Sequence, residues 1–202
     1  MSSPYGSGYG LLKHVDRSLN RETQYNFDEP FEGKEYRTAM ITGHRWCGEH
    51  HSTNIEKLIE MALNQGVSHF LCGMAIGTDQ IAAKILVRRN LKWTAVIPCA
   101  DQDKLWKPRE RSKYRKLLEK ATKQVTLYPE YRTGVMQARN RWMVKRADIC
   151  LAFFSGDPHG VGGGTATTVK MARDRNLLIY QYIPAESKFI IIEPAYQQMS
   201  LF

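Results

Sequence analysis

Asp148-Ile149-Cys150-Leu151-Ala152-Phe153-Phe154-Ser155-Gly156, followed after five residues by Gly162-Gly163-Gly164-Thr165-Ala166-Thr167-Thr168, decides the fold of this chain. The apolar run Asp148 to Phe154 is too short for a helix and reads as a buried strand. The glycine-rich stretch Gly156 to Gly164 ends it. Beyond Thr165 the apolar spacing returns to that of a helix, which runs to about Arg175. A buried strand, a glycine loop and a helix in immediate succession are the building unit of a parallel α/β sheet.

The same unit recurs on both sides. Thr38 to Thr42 reads as a strand ending at Gly43, and Ser52-Thr53-Asn54 offers caps for a helix whose stripe is Ile55, Leu58, Ile59, Ala62 and Leu63. Val67 to Cys72 is a second strand, and Thr78-Asp79 is placed to cap a helix carrying Ile81, Ala82, Ile85 and Leu86. Trp93 to Pro98, a basic helix from about Arg109 to Thr122, Val125 to Tyr128 and a helix from Met136 to Arg146 continue the series. Leu177 to Tyr182 and Phe189 to Ile192 close it with two strands. The pattern predicts a Rossmann-like, three-layer α/β domain, a mostly parallel sheet with helices on both faces. The boundary falls near residue 37: residues 1–36 lack periodicity and read as an irregular amino-terminal arm, residues 37–202 as the domain.

Composition limits what such a domain does. The 202 residues, 43% hydrophobic and 24% charged, suit one large domain with a substantial core. No apolar run spans a bilayer, and Met1 to Gly6 does not read as a signal peptide, so a cytoplasmic protein with no membrane partner is expected. Cys47, Cys72, Cys99 and Cys150 are far apart without a CxxC pair, as reduced core cysteines are. The net charge of +9 admits polyanionic partners, nucleic acid among them, or simply a basic solvated surface. The densest basic stretch, Lys104 to Lys123, carries Tyr114, Leu117, Leu118 and Ala121 at helical spacing, so much of its charge is a helix face.

Ligands of such sheets bind beyond the strand carboxyl ends. Three glycine-bearing loops lie there: Thr42-Gly43-His44-Arg45; Gly73-Met74-Ala75-Ile76-Gly77-Thr78-Asp79; and Ser155-Gly156 through Gly162-Gly163-Gly164-Thr165, with Thr168 just inside the helix. The third carries most. Consecutive glycines let backbone approach an anion, and the unpaired amides and dipole of the following helix favour a phosphate. Thr165 is placed to cap that helix and to offer its hydroxyl. Arg139, on the preceding helix, is a second phosphate partner if it is not merely exposed. No GxxxxGK[ST] loop is present, which disfavours ATP hydrolysis of the P-loop kind. His44, Cys47, His50 and His51 have spacing that zinc would accept, but they lack a second ligand pair, and no metal or cofactor is expected.

Ile41 to Arg45, Gly73 to Gln80, Ile97 to Gln102 with Trp106, Arg139 to Val144 and Gly162 to Thr165, in this order and spacing, resemble the YpsA-like branch of the SLOG superfamily. That group is similar to the LOG phosphoribohydrolases and the Smf/DprA DNA-processing proteins. The resemblance spans about Arg37 to Tyr182. It implies a Rossmann-like domain holding a nucleotide or a nucleotide-derived molecule across these loops, and pairing of two or more copies through helices beside the site. It implies no reaction. The LOG motif PGGxGTxxE supplies a glutamate for hydrolysis of a nucleoside monophosphate; here Thr168 stands at that position and Val161 replaces the first glycine of the pair. Arg139 is similar in placement to the LOG arginine, and Asp79 is the other catalytic candidate, although a helix cap is its plainer role. Three functions remain open: a nucleotide-binding sensor, sequestering or regulatory protein; a nucleotide N-glycosidase of the phosphoribohydrolase type; and a single-stranded nucleic-acid binder with Trp106 and Tyr114 as stacking surfaces.

Overall fold

In the computed structural model, residues 37–156 and 163–195 are described. They form β1 (Thr38–Gly43), α1 (Ser52–Asn64), β2 (His69–Cys72), α2 (Thr78–Arg88), β3 (Trp93–Cys99), α3 (Pro108–Leu118), β4 (Lys123–Tyr128), α4 (Val135–Val144), β5 (Ile149–Phe153), α5 (Gly164–Asp174), β6 (Leu178–Ile183) and β7 (Lys188–Ile192). The strands make one seven-stranded sheet in the order β4-β3-β2-β1-β5-β6-β7. Every pairing is parallel except β6 with β7, an antiparallel edge hairpin. The Rossmann-like architecture read from the sequence is therefore present. The predicted amino-terminal arm lies outside the described residues.

β3, β5 and β6 are buried along their whole length because helices cover both faces. On one face α1 and α2 pack Ile55, Ile59, Ile81 and Ile85 against Phe70, Trp93, Phe153 and Tyr180. On the other, α4 and α5 pack Met143, Val144, Val169 and Ala172 against Met40, Leu71, Val96 and Cys150. Trp142 is partly buried against this second core, with the Arg146 guanidinium 4.0 Å from its ring centre.

The polar groups chosen as caps do other work. A 3-10 turn, Glu49–His51, leads into α1, so Ser52 and Thr53 are already helical, and no side chain caps it. The cap position of α2 is Gly77, with φ +91°, where a left-handed backbone favours glycine. Thr78 and Asp79 lie inside that helix. Gly163 precedes α5, which starts one residue ahead of the expected Thr165, again without a side-chain cap. α3 stops at Leu118 rather than near Thr122, because the Thr122 hydroxyl accepts the Trp93 amide at 3.1 Å and draws the chain towards β4.

Candidate functional site

The chain runs outward from β1 through β2 and β3 to β4, then returns to place β5 on the other side of β1. The sheet therefore reverses direction between β1 and β5, and loops leaving their carboxyl ends diverge to open a crevice. A cleft of about 420 Å³ lies there. Thr42, Gly43, His44 and Arg45 line it from the β1 loop, Ser155 from the β5 loop, and Gly163, Gly164 and Thr165 from the start of α5. Asp79 and Arg139 line it as well. Gly162 lies outside the described residues.

The start of α5 borders the cleft. Gly163 is uncapped by any side chain, and among the described residues the amides of Gly164, Thr165 and Ala166 have no hydrogen-bond acceptor. Among the described residues, a Cβ placed on Gly164 meets nothing within 4 Å. Three amides at the positive end of an 11-residue helix, bordering a cleft, are suited to an anion.

Arg139 lines the same cleft and is not the exposed helix arginine that its charged neighbours allowed. It is 6% exposed, and its Nη1 lies 3.5 Å from Asp79 Oδ2. Among the described residues its Nε is buried without a partner. The guanidinium lies on the backbone of Gly73, where any Cβ would fall 1.6 Å from Nη1. Asp79, read as a helix cap, is instead the countercharge: Oδ2 accepts the Ala75 amide at 3.1 Å as well as facing Arg139. Burial pushes its carboxyl above the ordinary range, against the opposing pull of Arg139, the Ala75 amide and Arg45.

The β1 and β5 loops are fastened by His44. Its Nε2 accepts the Ser155 amide at 3.0 Å and lies 3.2 Å from the Ser155 hydroxyl. Accepting an N–H requires the neutral ring protonated on Nδ1. Burial lowers the pKa of this histidine, which favours that form.

The second glycine loop does not reach the cleft as expected. Gly73, Met74, Gly77 and Thr78 are absent from its walls; only Ala75 and Asp79 of this segment line it. The loop is closed by the protein's own groups. Met74, in a left-handed conformation at φ 62°, has its carbonyl bonded by Gln102 Nε2 at 3.0 Å. Thr78 donates its amide and hydroxyl to the His44 carbonyl at 3.3 and 3.0 Å. Its side chain fills the space beside Gly43, and a Cβ on Gly77 would fall 2.4 Å from the Arg45 carbonyl oxygen. Thr168 is also withdrawn: fully buried, it donates to the Gly164 carbonyl at 2.6 Å and accepts from Asn140 Nδ2 at 2.7 Å.

Two further expectations change. Tyr114 is buried, 4% exposed, with its ring 5.1 Å from that of the partly buried Trp106 in an edge contact, so Tyr114 is a core residue rather than a stacking surface. Asp103, itself buried, pairs with Arg115 at 3.1 Å and Arg111 at 3.5 Å, neutralising part of the basic stretch. The residues missed include Trp46, Met136, Asn140 and Phe154, which all line the cleft. Trp46 was legible as an aromatic three residues past the switch-point glycine, and Asn140 as the neighbour of Arg139. Among the described residues no group of three His, Cys, Asp or Glu side chains is arranged for a metal ion, and no helix is long and apolar enough to cross a membrane.

The sheet order, with a cleft at its switch point and helices on both faces, defines a Rossmann-like α/β protein. Residues 51–187, more than half of the chain, match the family model described as the YspA SLOG family, and the chain belongs to that family. The match begins after the Ile41–Arg45 motif. Among curated proteins, the chain is 25% identical to the uncharacterized SPbeta prophage-derived protein YoqJ of Bacillus subtilis, over 50% of this chain and 69% of that one. Two solved structures share the fold. DNA processing protein A of Streptococcus pneumoniae is 17% identical with a TM-score of 0.55, over 72% of this chain and 50% of its own. The Helicobacter pylori protein, whose structure describes a single-stranded DNA binding mode, is 16% identical with a TM-score of 0.54, over 77% of this chain and 66% of its own. The chain thus spans half to two thirds of these larger proteins.

Proposed function

We propose that this protein binds a nucleotide or nucleotide-derived small molecule in the β1–β5 cleft and acts as a sensor, sequestering or regulatory protein. The observation that carries the reading is Arg139: a buried guanidinium at a cleft wall, held by one acid at 3.5 Å and with an unpartnered Nε. A buried donor without an acceptor is costly. An anion drawn to the open amides of α5 would supply that acceptor and a charge-assisted bond with it. A cleft of about 420 Å³ falls within the roughly 300–1,000 Å³ of small-molecule sites. Four buried, unpaired cysteines support a reducing, cytoplasmic setting.

Calorimetry with nucleoside monophosphates, before and after Arg139→Lys, tests the proposal. Binding that weakens about tenfold or more with lysine supports it, because lysine replaces a forked donor with a point charge. A folded wild-type protein that binds none of them overturns it.

Binding without hydrolysis is favoured over N-glycosidase chemistry by Thr168. The position of the LOG glutamate holds a hydroxyl committed to Gly164 and Asn140, and Asp79 is committed to Arg139. Release of free base and ribose 5-phosphate from AMP above the buffer rate would reverse that preference. Single-stranded nucleic acid remains a second reading, supported by the net charge of +9. It requires affinity that falls steeply between low and moderate salt.

A further inference from the structure

We infer that the exposed indole of Trp46 is the subsite for a purine-type base, a deepening that rests on the nucleotide reading above. Large apolar side chains are normally covered, yet Trp46 is 59% exposed while lining the cleft. Its placement is not loose. The His44 ring stacks on it with centroids 4.8 Å apart and planes inclined by 17°, and Phe153 abuts it at 5.6 Å in an edge contact. His44 is in turn fixed by the Ser155 amide, so the indole stands on a support tied to β5. One face is covered by the imidazole, and the exposed remainder offers a flat aromatic surface in a cleft whose walls also carry the α5 amides and Arg139.

An aromatic surface and an anion site in one cleft select a molecule with a flat π system and a negatively charged group. A phosphorylated sugar alone satisfies only the second. Base stacking on an aromatic side chain tolerates any base, since each has a π face, but a two-ring purine overlaps more of an indole than a single-ring pyrimidine does. Arg45, exposed beside Trp46 on the cleft wall, adds positive charge at the same end of the β1 loop.

The test compares AMP, CMP and ribose 5-phosphate on the wild type, Trp46→Ala and Trp46→Phe by calorimetry. Expected is tighter binding of AMP than of CMP and ribose 5-phosphate by the wild type. Trp46→Ala should lower AMP affinity about tenfold to a hundredfold and leave ribose 5-phosphate unchanged. Trp46→Phe should recover part of the loss, which a misfolded loop would not do. If ribose 5-phosphate and AMP bind equally and Trp46→Ala changes neither, the base subsite fails while the phosphate reading stands. If the wild type binds none of the three, both fail. Loss of ribose 5-phosphate along with AMP in Trp46→Ala also overturns the inference, since the indole would then serve the loop and not the base.

Discussion

The loop Gly73–Asp79 and the segment Gly163–Ala166 look alike in sequence, each a set of glycines at the end of a buried strand and the start of a helix, but they differ in what meets the glycine. At Gly73 and Gly77 a Cβ would collide with the Arg139 guanidinium and the Arg45 carbonyl; at Gly164 it would meet nothing within 4 Å. Glycine in the first loop makes room for the protein itself, whereas no described residue takes the space beside Gly164. The first loop positions Arg139, and the second borders the same cleft.

The largest effect expected on stability comes from breaking the closed side. Arg139→Ala strands Asp79 in the interior without its countercharge, and removal of one partner of a buried pair costs about 3–5 kcal/mol. Burial already raises the Asp79 pKa, so its charged form destabilises the fold above that pKa, and stability returns as pH falls through it. Chemical denaturation should therefore show Arg139→Ala recovering relative to wild type on acidification, and Asp79→Asn added to it should remove that recovery.

Gly77→Ala comes next. It forces a side chain into a left-handed backbone at φ +91° and against the Arg45 carbonyl, and overpacking with strain costs about 2–4 kcal/mol. Gly73→Ala should cost about 1–3 kcal/mol and also displace Arg139, so that nucleotide affinity falls with stability. Thermal unfolding and calorimetry on the same samples check both.

A third, smaller effect concerns the fastening of the open side. His44 has a lowered pKa in the fold, so the folded state binds fewer protons than the unfolded chain, and its contribution is lost as pH drops below the ordinary histidine value of 6.5. His51 and His69 are lowered too and share this acid sensitivity. Only the part lost in His44→Gln, which keeps an acceptor for the Ser155 amide, belongs to the clasp. Denaturant midpoints between pH 7.5 and 5.5 should fall less in that variant than in the wild type.

The smallest effect is Gly164→Ala. A methyl group enters open space in the first turn of a helix and should shift stability by less than about 1 kcal/mol, in the favourable direction. A loss as large as that of Gly77→Ala would erase the distinction between the two loops.

Most of the architecture was legible because alternating buried strands and amphipathic helices write their period locally, as Ile149–Phe153 and the α1 stripe do. Caps were not, because Ser52, Thr78, Asp79 and Thr165 are good capping residues that tertiary contacts recruited elsewhere or that fell inside the helix. The place of Gly163 to Thr165 at the cleft was legible in glycine spacing. The burial of Arg139 was not, since it depends on Asp79, sixty residues away, and on the missing side chain of Gly73. Glycines alone cannot announce whether protein or ligand fills the space they leave; the second loop was assigned to the ligand for that reason.

Amide chemical shifts during a titration with AMP test the central claim most directly. Expected are the largest changes at Gly164, Thr165 and Ala166 and at the Arg139 Nε–H, with Gly73 and Gly77 responding weakly. Saturable binding that leaves the α5 amides and Arg139 unmoved would contradict the assignment of the phosphate to this helix terminus.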